Sequence, residues 1–240
     1  MKIEHTISHY FQPTNFTCAH ASLSMALSHF GHHITPESLI PEIATFKDDK
    51  GEICGTLTTW VCSWALRHGF GVEMYCSDSE LLDLSWASLD SKATIERMKL
   101  ARETRTLAAL NQETIHKYFD SYIEFLELGG KLTITPFISS ELIDELLARG
   151  PILATFAYST LYGVGRTKTV GLRESVPDDL TGSTCTHAAV IYGRNNKGEY
   201  LVADPYRSTQ FHVAPRDAVI AAIAAASYAC ESHIALISEL

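Results

Sequence analysis

The chain has 240 residues, 46% of them hydrophobic and 20% charged, with a formal net charge of -9. That length and balance suit one large domain or two small ones and exclude wholesale disorder. The negative total disfavours non-specific binding to nucleic acid or an anionic membrane, and no stretch approaches the ~20 apolar residues of a membrane span.

The opening MKIEHTISHYFQPTNF carries no apolar run, so no secretion signal is expected and the chain reads as cytoplasmic. A first helix is predicted from Thr17 or Cys18 to Gly31, where glycine is a natural stop. Ala21, Met25 and Ser28 would share a side with Cys18, and Leu23, Ala26, Leu27 and Phe30 would form a broader apolar face. Its small residues permit close approach to other elements. Thr35-Pro36-Glu37 reads as cap, first-turn proline and first-turn acid of a short helix reaching about Ala44. TLTTWVCSWALRHG is a third helix ending at Gly69, and GVEMY is a strand.

Residues 78–128 read as mostly helical, including ATIERMKLARETRTLAAL and ETIHKYFDSYIEFLEL, with Gly129-Gly130 as the stop. They are expected to form a helical insertion or subdomain of a single domain spanning 1–240. LTITPF then reads as a strand, SSELIDELLARG as a capped helix and PILATFAYS as a strong strand. The stretch from Tyr162 to Thr184 is too long and polar for a simple turn, and long loops of this kind are often functional. HAAVIYG and EYLVADP, separated by RNNKG, form the best hairpin signal. A helix over PRDAVIAAIAAASYA and a strand over HIALIS close the chain. Helices towards the N-terminus and strands towards the C-terminus predict an α+β fold whose sheet is at least partly antiparallel.

Six cysteines occur, Cys18, Cys54, Cys62, Cys76, Cys185 and Cys230, and reduced thiols are expected for a chain of this size with no route to an oxidising compartment. Cys18 falls in the first turn of the first helix, where the dipole and unpaired N–H groups favour a thiolate. A blander role as a small core residue is open to any cysteine. His187 opens the first strand of the hairpin, and Asp204 ends the second. Counting back from a turn centred on Asn196 and Lys197 places His187 near Tyr206, about one pair from Asp204. A carboxylate there can hold one imidazole nitrogen while the other faces a thiol. Asp204 can equally cap its own Asp-Pro turn. Gln12, six residues before Cys18, carries an amide able to donate to a developing oxyanion, with the Cys18 backbone N–H as a second donor.

The segment QPTNFTCAHASLSMAL resembles the nucleophile segment of the bacteriocin-processing C39-like peptidases, a branch of the papain-like superfamily. The pair THAAVIYG and EYLVADP resembles that family's histidine strand and the Asp-Pro strand after it. The resemblance implies a papain-like fold, with N-terminal helices packed on a largely antiparallel C-terminal sheet. It implies Cys18 as nucleophile, His187 as base, Asp204 as the orienting acid and Gln12 in the oxyanion site, with no cofactor. Ala19 stands where the family often has glycine, and the 78–128 region is larger than in a minimal member. No transporter membrane region or nucleotide-binding motif accompanies these segments, so export-coupled leader cleavage is not expected.

The implied reaction is hydrolysis of a peptide, isopeptide or related amide bond through a thioester. Acyl transfer or small-amide hydrolysis by the same residues is the alternative, and a non-catalytic binding protein retaining the fold is another. Arg166, Lys168 and Arg173 in the polar stretch are candidates to meet an acidic substrate. A zinc set built from Cys18, His20, Cys185 and His187 is disfavoured, because residues two apart on a helix diverge by about 200°.

Overall fold

The sequence patterns are tested by a computed structural model describing residues 2–47, 51, 53–108, 110–170, 174–206 and 211–240, with the Cys54 side chain outside that description. Its first half contains β1 (Ile3–Glu4), α1 (Cys18–Ser28), α2 (Pro36–Leu39), β2 (Phe46–Lys47), β3 (Ile53–Gly55), α3 (Thr58–Arg67) and β4 (Phe70–Cys76). A 3₁₀ turn (Leu84–Ser88) leads to α4 (Ser91–Thr104), α5 (Gln112–Glu127), β5 (Lys131–Ile134), α6 (Ser140–Leu147), β6 (Ile152–Ala157) and α7 (Tyr158–Tyr162). Then follow β7 (Thr167–Val170), β8 (Glu174–Pro177), β9 (Thr186–Arg194), β10 (Tyr200–Ala203) and β11 (Phe211–Ala214). The chain closes with α8 (Arg216–Ala225), a second 3₁₀ turn (Ala226–Ala229) and β12 (His233–Glu239).

The main sheet runs β11-β10-β9-β6-β12-β4-β5, with β1 also paired to β9. The β4–β5 pair is parallel and the other pairings in this sheet are antiparallel. This is the expected α+β fold.

Strand side chains alternate between two cores. Leu153, Ala188, Val190, Ala235 and Ile237 join α1, α3 and α5 on one face, while Ile152, Ala154, Ala189, Ile191, Ile234 and Leu236 join α6 and α8 on the other. Burial on both faces explains why these strands read as continuous apolar runs. α1 lies against β9 and β6, and every residue from Ala19 to Ser28 is buried. The single apolar face expected of α1 is therefore replaced by burial all round. Its alanines and serines leave room for that close contact.

Three expected elements differ. α2 ends at Leu39 rather than near Ala44. The helix expected through Leu110 stops at Thr104: the Thr104 hydroxyl donates to the Leu100 carbonyl, and Arg105 leaves the helix to donate to the Glu80 carbonyl at 2.8 Å. The polar stretch after Tyr162 contains a hairpin, β7–β8, rather than an irregular loop. Its strands alternate into no core, so the sequence has no burial pattern to show.

Candidate active site

Cys18 is the first residue of α1. The preceding Thr17 is a natural cap, but its hydroxyl donates to the Thr14 carbonyl at 3.1 Å and accepts from the Thr14 N–H at 3.0 Å. The helix therefore begins with no side-chain cap and no acid in its first turn. Its leading N–H groups are left for whatever occupies the space beside Cys18.

The β9–β10 ladder has an irregularity between Leu201 and Val202, after which Val202 faces Ile191 and Ala203 faces Val190. This register carries the strand ends to His187 and Asp204, whose Nε2 and Oδ1 lie 2.8 Å apart. Asp204 is wholly buried and His187 is 6% exposed. The Ala188 N–H, next along β9, donates to Cys18 Sγ at 3.4 Å. The ends of β9 and β10 and the start of α1 thus bring Cys18 beside the His187–Asp204 pair.

Asp204 also accepts from the Tyr206 N–H at 2.6 Å and from the Tyr162 hydroxyl. It therefore performs both jobs its Asp-Pro context allows, closing its own turn and holding the imidazole. The N-terminal segment is tied to the same turn: His9 Nε2 donates to the Asp204 carbonyl at 2.6 Å, and the Gln12 N–H to the Pro205 carbonyl at 2.9 Å. These bonds fix the loop before Cys18 relative to the acid. Tyr158 places its ring at right angles to the imidazole, 5.4 Å between centroids.

Burial alone would hold His187 neutral, but the Asp204 carboxylate outweighs it, and Cys18 adds to the effect. The imidazolium is therefore held well above the ordinary histidine range. Burial opposes charge on Asp204 too, yet the adjacent His187, Tyr162 and the Tyr206 N–H bring its carboxyl below the usual range. Each member of the pair favours the charged form of the other.

Gln12, Cys18 and His187 line one cavity of about 520 Å³. Gln12 Nε2 donates to the Thr14 carbonyl at 2.8 Å, which fixes the amide orientation and leaves its second N–H uncommitted. Gln12 Oε1 is buried without a partner.

The Peptidase_C39 like family matches residues 4–230, a span containing every one of these side chains. The chain belongs to that family. A solved structure similar to this C39-like chain is that of a candidate C39-like peptidase from Bacillus anthracis, with 12% identity and a TM-score of 0.49, covering 100% of this chain and 98% of that one. No curated protein matches the sequence.

Around the C39-like site, the β7–β8 hairpin borders the cavity through Thr167, Lys168, Thr169 and Ser175, and Asn15 Nδ2 donates to Ser175 Oγ at 3.4 Å. Of the three basic residues expected near substrate, Lys168 lines the cavity. Arg166 instead donates to the Asp179 carbonyl within the polar stretch, and Arg173 lies outside the described residues. His20 points into the core with neither ring nitrogen partnered. Among the described residues, no three His, Cys, Asp or Glu side chains converge as a metal-ligand set, and no helix is long and apolar enough to cross a membrane.

Sequence reasoning missed Tyr158, Tyr162, Tyr228 and Glu231. The first two follow β6, which pairs with β9 through Phe156 and His187. Only that pairing shows that a tyrosine just past the end of β6 can reach the acid beside His187.

Proposed function

We propose that the chain is a thiol hydrolase that cleaves a peptide, isopeptide or related amide bond, with Cys18 as nucleophile, His187 as base and Asp204 as the acid that orients the base. One observation carries this reading. A buried His187–Asp204 pair, 2.8 Å apart, sits on the strand whose next N–H touches Cys18 Sγ, and both Cys18 and His187 line a cavity large enough for substrate.

Because Nε2 donates to Asp204, Nδ1 is the nitrogen left to exchange a proton with the thiol. His187 Nδ1 takes the Cys18 proton, and the thiolate attacks the carbonyl carbon of the scissile amide. The oxyanion that forms is met by the free Gln12 N–H and the Cys18 backbone N–H. The C–N bond breaks as His187 returns the proton to the departing amine. Water, deprotonated by His187, then attacks the thioester; the C–S bond breaks and the acid leaves. We further read residues 78–128 as a helical insert on one catalytic domain, since Met98, Ile115 and Phe119 join the core shared by α1 and α3. A reducing cytoplasm suits the reading, because catalysis needs a free Cys18 and the other cysteines with described side chains are unpaired as well.

The test is the rate of iodoacetamide alkylation against pH, resolved site by site by mass spectrometry, in the wild type and in His187→Ala. Cys18 should react below pH 7 faster than Cys185, an exposed thiol on the same cavity, and should slow markedly in the variant. Equal rates at the two cysteines, with no dependence on His187, would reject the proposal.

A further inference from the structure

Glu231 occupies the loop between the second 3₁₀ turn and β12, and it lines the same cavity as Cys18 and His187. It is 7% exposed. Thr186, the residue before His187, is the one neighbour that favours its ionised form among those acting on it. The groups coupled to its charge, Asp78, Tyr118, Tyr122, Tyr228 and Cys230, are all acids, and His233, whose backbone N–H donates to the Glu231 carbonyl at 2.9 Å, is kept neutral by burial, which lowers it to about 4. Lys168 also lines the cavity, but it is not among the groups acting on the Glu231 carboxyl. A buried carboxylate is normally matched by a cation, and His187 does this for Asp204. Glu231 has no such counter-ion among the described residues, and burial holds its carboxyl up to about 8.

The walls of this cavity suit a cation. Tyr158, Tyr206 and Tyr228 line the cavity, and aromatic faces attract ammonium and guanidinium groups. The backbone also turns sharply at this point. Cys230, immediately before Glu231, has φ 56° and is the one non-glycine residue in the left-handed region among those described. Such backbone is unfavourable for a side chain-bearing residue and gathers at functional sites.

We propose that Glu231 anchors a positively charged group of the substrate, an ammonium or guanidinium, while the scissile carbonyl lies at Cys18. The inference deepens the hydrolase reading and rests on it. When the cation enters, the Glu231 proton passes to solvent and an ion pair forms in the tyrosine-lined cavity.

The test uses N-acetyl dipeptidyl acyloxymethyl ketones on the full chain, with lysine or its neutral isostere norleucine at each of the two positions. The Cys18 thiolate displaces the carboxylate leaving group, forming a C–S bond and breaking a C–O bond, so the adduct on Cys18 is counted directly by mass spectrometry. At one position the lysine probe should react on the order of 10- to 100-fold faster than the norleucine probe, and the ratio should collapse towards one in Glu231→Gln. A glutamate probe gives a test without any variant and should be slower than norleucine. A lysine-to-norleucine ratio near one in the wild type, a ratio undiminished in Glu231→Gln, or a glutamate probe as fast as lysine overturns the proposal. So does failure of every probe to label Cys18. The iodoacetamide rate and its His187 dependence, measured on the same preparation, separately judge the thiolate on which the inference rests.

Discussion

Replacing Asp204 with asparagine isolates one quantity, the charge behind His187. Asp204 Oδ1 receives both His187 Nε2, at 2.8 Å, and the Tyr206 N–H, at 2.6 Å, while Oδ2 receives the Tyr162 hydroxyl. An asparagine amide oxygen can keep the first two contacts, and its nitrogen can donate to the tyrosine oxygen. The geometry is retained and the negative charge is lost. A hydrogen bond to a charged group contributes about 1.5–3 kcal/mol against about 1 kcal/mol for a neutral one. A unit charge ~4 Å away contributes about 4 kcal/mol more at an effective dielectric of ~20. The two overlap, because the extra strength of a charged hydrogen bond is part of the same Coulomb attraction, so about 2–4 kcal/mol in all makes the imidazolium roughly 30- to 1,000-fold less populated. Burial of His187, then opposed by Cys18 alone, favours the neutral ring. Cys18 alkylation by iodoacetamide at pH 6 should accordingly fall by roughly 30-fold or more in Asp204→Asn. Far-UV circular dichroism would check that the fold persists. A folded variant whose rate–pH curve overlays that of the wild type would show that Asp204 is structural, and the electrostatic reasoning would fail.

Tyr162→Phe removes one of the donors that lower the Asp204 carboxyl, so the acidic limb of the alkylation profile should move to higher pH, by less than about one unit. A merely structural tyrosine would leave that limb in place. His20 is fully buried with both ring nitrogens unpartnered, and burial lowers it to about 4. The unfolded chain takes up that proton near pH 6.5 and the folded chain does not, so stability falls as pH drops from about 6.5 towards 4, at up to ~1.4 kcal/mol per pH unit. His20→Leu should raise the urea midpoint at pH 7 by an amount equivalent to about 1–2 kcal/mol and remove this share of the acid loss; a lower midpoint would contradict the unpaired-ring argument. Glu231 has the opposite sign. Its folded carboxyl is raised to about 8, so the stability it contributes is present below the unfolded value and lost as pH rises towards 8. Glu231→Gln should therefore melt higher than the wild type at pH 8, with a flatter dependence between pH 5 and 8.

The elements that carry Cys18 and His187 were legible because their signals are local. The polar QPTNFT segment before a small-residue run announces the start of α1, and the turn residues of RNNKG fix the β9–β10 hairpin. Counting back from that turn reaches the pairing seen beyond Val202. What stayed hidden depends on contacts between distant segments. The β7–β8 hairpin packs against no core, so its strands have neither alternation nor an apolar run. α1 is buried on every side, so its sequence could not show which face meets β9. Tyr162 reaches Asp204 across 42 positions of sequence, and no pattern around YSTLY distinguishes it from any other tyrosine at a strand end.

The two buried carboxyls on this site differ in one respect, and that difference organises the cavity. Asp204 is matched by His187, so the pair is neutral overall when the ring is protonated and can persist at full burial. In the proposed mechanism a thiolate at Cys18 adds one negative charge, placed where α1 begins without a cap or a first-turn acid to compete for its N–H groups. Glu231 has no such match among the described residues, and Asp78, which acts on it, is itself raised to about 6 by burial. A protein selected for stability alone would gain by replacing Glu231 with a neutral residue of similar shape, since nothing in the fold requires its charge. The carboxyl is instead held on the cavity that His187 lines, behind a residue in unfavourable backbone geometry and with tyrosines in the same walls. The unmatched carboxyl and the left-handed backbone both cost stability in the empty site, and a cation entering with the substrate turns the first of these costs into an ion pair.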